Sequence, residues 1–165
     1  MLIAEALWTR YFPLFARVRE VLHTERVLGD LHRVTSDLSL DFARNNPAHS
    51  INNAAFGGGA LLASGVYPLT WALLLHDPAK KGELPQVASA MIMADNGEGV
   101  LADQQTSVIL AYAESKRMAL VSCSLNMRTP HGRHVFIEGS KVLHMVSLLL
   151  GTLTQSGCLG HVDHP

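Results

Sequence analysis

The sequence predicts an α+β domain in which a curved antiparallel sheet wraps around one long central helix. Two observations predict it. Residues 54–76 form one apolar run, with the consecutive glycines Gly57, Gly58 and Gly59 near its start. On either side the hydrophobic period switches to two, as in Leu38, Leu40 and Phe42 before the run and Val121, Cys123, Leu125 and Met127 after it. A helix without a polar face must be covered on every side, and a sheet with a single helix to bury does so by curling round it.

The elements follow in order. Residues 2–16 place Leu2, Ile3, Ala6, Leu7, Leu14 and Phe15 at loosely helical spacing, a lead-in helix with Pro13 as its boundary. Arg19–Leu28 and Leu31–Phe42 flank Gly29-Asp30, a glycine-first pair suited to a type II′ hairpin turn. Arg44–Asn53 is a polar loop, and Asp77-Pro78 ends the central helix before the charged loop Ala79–Pro85. Strands are expected at Val87–Ala94, Thr106–Ala113, Met118–Met127 and His134–Met145, with a turn at Pro130–Arg133. The tail 146–165 carries no clear pattern. No repeat or linker divides the chain, so 1–165 reads as a single domain.

Composition narrows the function classes. Hydrophobic residues make up 48% and charged residues 16%, enough for a sizeable core. The net charge of −1 supplies no basic surplus for a phosphate backbone, which argues against nucleic acid. So apolar a composition also makes a subunit partner plausible. Cys123 and Cys158 are too few for a disulfide framework and suit free thiols in a cytoplasmic protein. Met1–Trp8 lacks the basic stretch and cleavage site of a signal peptide, and Ala60–Leu75 is too short to span a bilayer.

The stretch 45–75, NNPAHSINNAAFGGGALLASGVYPLTWALLL, has an Asn (Asn52) just before Phe56-Gly57-Gly58. Met91-Ile92-Met93-Ala94-Asp95 gives an apolar strand ending in Ala-Asp, and ALVSCSLNMRTPHGRHVFIEGSKVLHM reads as a closing strand–turn–strand. In these features, and in the lead-in RYFPLF, the chain resembles the hotdog-fold thioesterase-like family, nearest to the domain at the C-terminus of certain acetyltransferases (the YiiD C-terminal type) and the related DUF4442 proteins. The resemblance covers about residues 10–145. It implies a hotdog fold, a homodimer or dimer of dimers with its site at the interface, and an acyl thioester of coenzyme A or an acyl carrier protein as substrate.

Thioester hydrolysis needs a polarised carbonyl and an activated water. Backbone N–H groups at Phe56, Gly57, Gly58 and Gly59 are placed at a helix start, where unpaired donors favour developing negative charge. The same glycines also serve simple close packing. For water activation the candidates are Asp95, then Glu98 and His49, with Asn52 to orient the water or carbonyl. Each has a structural reading beside it: Asp95 as a turn residue, Asn52 as a helix cap, His49 as a solvated loop residue. No cofactor is called for. The pairs His131/His134 and His161/His164 lack a closed four-ligand spacing, so no metal is expected. A Gly-x-Ser-x-Gly elbow is absent from the sequence. Two alternatives to the thioesterase stay open: a non-catalytic hotdog module that binds an acyl chain or protein, and a hotdog dehydratase or isomerase acting on a hydroxyacyl thioester.

Overall fold

The computed structural model describes residues 7–41, 48–75, 82–95, 101–130, 134–141 and 143–146 of the chain. Glu98, Asp77-Pro78, His131, the tail from 147 with Cys158 and the His161/His164 pair, and the first six residues lie outside the described residues.

A 3-10 turn at Trp8–Tyr11 leads into helix α1 (Pro13–Arg19), and a wider π turn continues it over Glu20–Thr24. Pro13 begins this helix rather than ending one, because the first helical position needs no N–H and proline's fixed φ suits it. Phe15, Val18 and Leu22 fall on one face and are buried. Arg17 lies on the solvent side, 2.8 Å from Glu20 and also paired with Glu25. The arm expected as the first strand of a hairpin is therefore largely helical. Its period of three to four residues runs straight across the assumed boundary at residue 16.

Among the described residues six strands form one mixed sheet: β1 (Leu31–Ser39), β2 (Gln86–Asp95), β3 (Leu101–Tyr112), β4 (Arg117–Ser124), β5 (Val135–Gly139) and β6 (Leu143–Val146), in the order β2-β3-β4-β1-β5-β6. β1 and β4 pair in parallel, with Val34 opposite Ala119 and Ser36 opposite Val121, while every other neighbouring pair is antiparallel. A parallel pair needs a crossover, and the long helical segment between β1 and β2 is part of it. That segment starts as a π turn at Leu61–Gly65, becomes helix α2 (Val66–Ala72) and tightens to a 3-10 turn at Leu73–Leu75. The change of helix type adjoins Pro68, which has no N–H to donate inside the helix.

These facts correct the hotdog expectation. The helix lies on one face of the sheet, against β1 and β4, and is not enclosed: Leu62 and Leu73 stay 62% and 54% exposed. Strand β2 is exposed almost throughout, with Val87 and Ile92 of opposite faces both open. An apolar composition all round a helix does not by itself require cover all round. Here its outward leucines simply face away from the sheet. The core sits between the sheet (Val34, Val108, Leu110, Ala119, Val121, Val135, Ile137), helix α2 (Trp71, Ala72) and helix α1. Phe15 and Trp71 meet edge to face with ring centres 5.1 Å apart. Among the described residues no helix is long and apolar enough to cross a membrane.

Candidate functional site

Two places gather the residues that could carry chemistry. The first is the glycine-marked tip of the long helix. Residues 49–59 fold into two short 3-10 turns, Ser50–Asn52 and Ala54–Phe56. His49 Nδ1 accepts the Ile51 N–H at 3.1 Å, and Asn53 Oδ1 accepts the Ala55 N–H at 2.9 Å. The cap of the second turn is thus Asn53. Asn52, its neighbour, is buried at 4% exposure and donates its backbone N–H to the His49 carbonyl at 2.9 Å. Phe56 is 77% exposed, and Gly57 turns the chain at φ +72° with open space around it.

Gly58 and Gly59 are needed for closer reasons. A Cβ at Gly58 would stand 2.5–2.7 Å from the carbonyl oxygens of Ser50, Ile51 and Asn53. A Cβ at Gly59, which has φ +120°, would overlap the carboxylate of Asp103. Asp103 Oδ2 accepts the Leu61 N–H at 2.8 Å and the Thr106 hydroxyl at 2.6 Å, and the side chain is 9% exposed. The N–H groups of Gly57, Gly58 and Gly59 already donate to the carbonyls of Ala54, Asn53 and Ile51, and that of Leu61 to Asp103, so these donors are spent and do not face a developing oxyanion. Asp95 lies at the exposed end of β2, opposite Leu101 and two residues beyond Met93, the register partner of Asp103.

No sequence motif marks Asp103. Its place depends on an irregularity: β3 slips register between Ile92–Gln105 and Met93–Asp103, leaving Gln104 as an extra residue. In a regular strand residues 103 and 106 would face opposite ways. The bulge brings both toward the helix.

Beside this tip lies Cys123, buried with Ala60 and Leu125. Burial, and then the nearby Asp103 charge, pushes its thiol up to about 11. The folded chain therefore holds the thiol proton more tightly than the unfolded chain does. The resulting stability is complete below pH 9 and is lost as pH rises from about 9 to about 11. Cys123→Ala should remove about 2 kcal/mol of that alkaline loss in urea titrations at pH 8 and pH 11, and native Cys123 should resist a thiol reagent at pH 8. Rapid labelling of Cys123 in the folded chain would contradict this.

The second place is a cavity of about 50 Å³ between the lead-in turn, helix α2 and the sheet. Its walls are aromatic: Trp8 and Phe12 from the lead-in, Tyr67 and Trp71 from α2. Trp8 sets its ring 5.7 Å from Phe12 and edge-on to Tyr67 at 6.5 Å. The two tryptophans are the only ones in the sequence, and both line this cavity. Polar groups come from Thr9, Ser36, Asp37 and His134. Asp37 is already engaged: its carboxylate accepts the hydroxyls of Ser122 at 2.6 Å, Ser39 at 3.0 Å and Thr129. Thr129 Oγ1 in turn accepts the Ser39 N–H at 2.7 Å, so Asp37 ties β1 to β4 and to the segment after it. At about 50 Å³ the cavity has room for the hydroxyl-bearing edge of a small ring rather than for a whole ring, and its flat apolar walls with a few hydrogen-bonding groups suit such an edge. The sequence signal was the spacing of aromatics in WTRYFP and GVYPLTW, which only the fold brings together.

Residues 15–142 match the GFO/IDH/MocA C-terminal domain. The chain belongs to this family. This GFO/IDH/MocA domain is 30% identical over 155 residues to the D-xylose 1-dehydrogenase (NADP(+)) of Hypocrea jecorina, which covers 86% of the chain and 38% of that protein. It is also 30% identical over 160 residues to the trans-1,2-dihydrobenzene-1,2-diol dehydrogenase of Sus scrofa, covering 97% and 38%. The chain thus spans about two fifths of the length of these relatives. Among solved structures, the WlbA dehydrogenase from Bordetella pertussis in complex with NADH and UDP-GlcNAcA aligns with a TM-score of 0.69 at 13% identity, over 97% of this chain and 44% of that one. Levoglucosan dehydrogenase in complex with NADH and levoglucosan aligns at 0.67 and 16%, over 86% and 39%. These two likenesses are of fold.

Membership of the GFO/IDH/MocA family overturns the hotdog thioesterase resemblance. With it go the acyl-CoA or acyl-carrier-protein substrate, the hydrolase reading, and the hotdog binding-module and dehydratase or isomerase alternatives. The matching motif was short, and its glycines answer a different need here: room for the Asp103 carboxylate and for three carbonyls.

Proposed function

We propose that this chain is the substrate-binding side of an NAD(P)-dependent dehydrogenase acting on a hydroxyl of a small cyclic alcohol. The observation that carries the reading is the cavity that collects both tryptophans, Tyr67 and His134 in a chain of this family. The relatives named for a sugar and for a cyclic diol supply the substrate class. A ring would lie against Trp8 and Tyr67, while the Tyr67 phenol and the His134 imidazole offer hydrogen bonds to its hydroxyls.

The nicotinamide dinucleotide itself does not fit the described residues. A pyrophosphate wants a glycine-rich helix start with free N–H groups. The N–H groups of Gly57–Gly59 are instead bonded to carbonyls of the loop itself, and that of Leu61 to the Asp103 carboxylate, whose charge also disfavours a phosphate there. The cofactor is therefore assigned to a unit other than these residues, and the role of this chain is to hold and orient the alcohol. A reducing cytoplasm suits the free thiol of Cys123.

The test uses the two tryptophans as reporters. D-xylose and trans-1,2-dihydrobenzene-1,2-diol are titrated into the chain and its fluorescence followed. A saturable change with at least one of them is expected, weakened about 3- to 10-fold by Trp8→Ala, the loss of one aromatic contact. No saturable response to either compound, or a response indifferent to Trp8→Ala, would remove the cavity from consideration as the substrate site.

A further inference from the structure

Ser36 stands out among the buried hydroxyls. It lies on β1 with Val121 and Val135 as its register partners, in the middle of the apolar face of the sheet, and is 2% exposed. Its Oγ has no hydrogen-bond partner among the described residues. Other buried hydroxyls and their neighbours are matched: Ser64 donates to the Ala60 carbonyl at 3.0 Å, Thr70 to that of Val66 at 2.8 Å, Thr106 and Ser39 to carboxylates, and Ser124 accepts the Asn126 N–H at 3.1 Å. A hydroxyl buried without a partner is destabilising, and a valine or alanine at the same place would fit its surroundings better. Ser36 is also a wall residue of the aromatic cavity. A turn of its side chain between staggered positions redirects Oγ without moving the strand.

We propose that Ser36 is the specificity-determining group of this cavity, supplying the hydrogen bond to a hydroxyl on the inward edge of the bound ring. The inference rests on the substrate-site reading above and refines it. The ligand is a cyclic alcohol with two unlike sides: an apolar face against Trp8 and Tyr67, and a hydroxyl edge toward β1. The unpaired Ser36 hydroxyl is then the counterpart of a ligand group. A polyol with hydroxyls on every carbon gains less from such a site than a vicinal diol on an otherwise apolar ring, because the aromatic walls offer its further hydroxyls no partner.

The experiment compares wild type, Ser36→Ala and Trp8→Ala by tryptophan fluorescence, with trans-cyclohexane-1,2-diol and D-xylose as probes, and measures the melting temperature of each chain without ligand. In wild type the diol should bind more tightly than the sugar. Ser36→Ala should bind the diol about 3- to 10-fold more weakly, the loss of one hydrogen bond between neutral groups. Unliganded, Ser36→Ala should melt at or above the wild-type temperature, since removing an unpaired buried hydroxyl costs no bond. Equal diol affinity in wild type and Ser36→Ala would overturn the inference, as would a melting temperature several degrees lower, which would mean that the hydroxyl has a partner within the protein. In either case the substrate-site reading survives if Trp8→Ala still weakens binding. If neither probe gives a saturable response in wild type, the substrate-site reading fails and takes the Ser36 inference with it.

Discussion

Gly59→Ala should cost about 4–6 kcal/mol, a large share of the roughly 5–15 kcal/mol that holds a domain together. Two penalties combine. At φ +120° the backbone is in a region that alanine adopts only under strain, worth about 1–3 kcal/mol. The new methyl would also overlap the Asp103 carboxylate and push it off the Leu61 N–H and the Thr106 hydroxyl. Hydrogen bonds to a charged acceptor are worth about 1.5–3 kcal/mol each. Urea unfolding should show the midpoint falling steeply at an unchanged slope. Gly57→Ala is the internal control: φ is +72° there, but nothing lies within 4 Å of the added carbon, so only about 1 kcal/mol is expected. Equal losses at the two positions would show that the overlap with Asp103 is relieved at little cost.

Asp103→Ala should be the next most damaging change, at about 3–5 kcal/mol. It leaves the Leu61 N–H and the buried Thr106 hydroxyl without their acceptor, and an unsatisfied buried group costs about 1–3 kcal/mol. Asp103→Asn keeps an oxygen in place and should cost about half as much. The two sites are coupled by direct contact, so the pair should not be additive. With Asp103 shortened to alanine, the methyl of Gly59→Ala has nothing to collide with, and the double variant should be less damaged than the sum by about 2 kcal/mol. Additive losses would place the trouble in the backbone at Gly59 alone.

The local pattern of the sequence carried much of the sheet but not its order. Strands β2, β3 and β4 lie within a few residues of the alternating runs that predicted them. The run His134–Met145 holds two strands, β5 and β6, because Ser140 and Lys141 turn the chain between them. What alternation cannot express is which strand lies beside which. The parallel β1–β4 pair depends on the long helical segment crossing the sheet and on β2 and β3 being laid down beyond β4. A sheet curled round a helix and a sheet with a helix on one face share the same list of elements. The deciding feature, uncovered leucines at 62 and 73, is indistinguishable in sequence from buried ones. At the helix tip the glycines were noticed, whereas their counterpart Asp103 was hidden by the bulge at Gln104. The cavity was harder still to read, since Trp8, Ser36, Tyr67 and His134 come from four separate segments.

The Asp37 carboxylate has a further consequence, for the order in which the chain assembles. Ser122 and Thr129 lie 85 and 92 residues away from it along the chain. Hairpin contacts within 86–124 can close early because their loops are short, but the seam through Asp37 must wait until the chain has been gathered as far as Thr129. Translation presents β1 long before its parallel neighbour exists. The nascent strand must stay unmated, or shielded, until β4 and Thr129 follow it, and the hydroxyl clamp around Asp37 is the point at which the search ends.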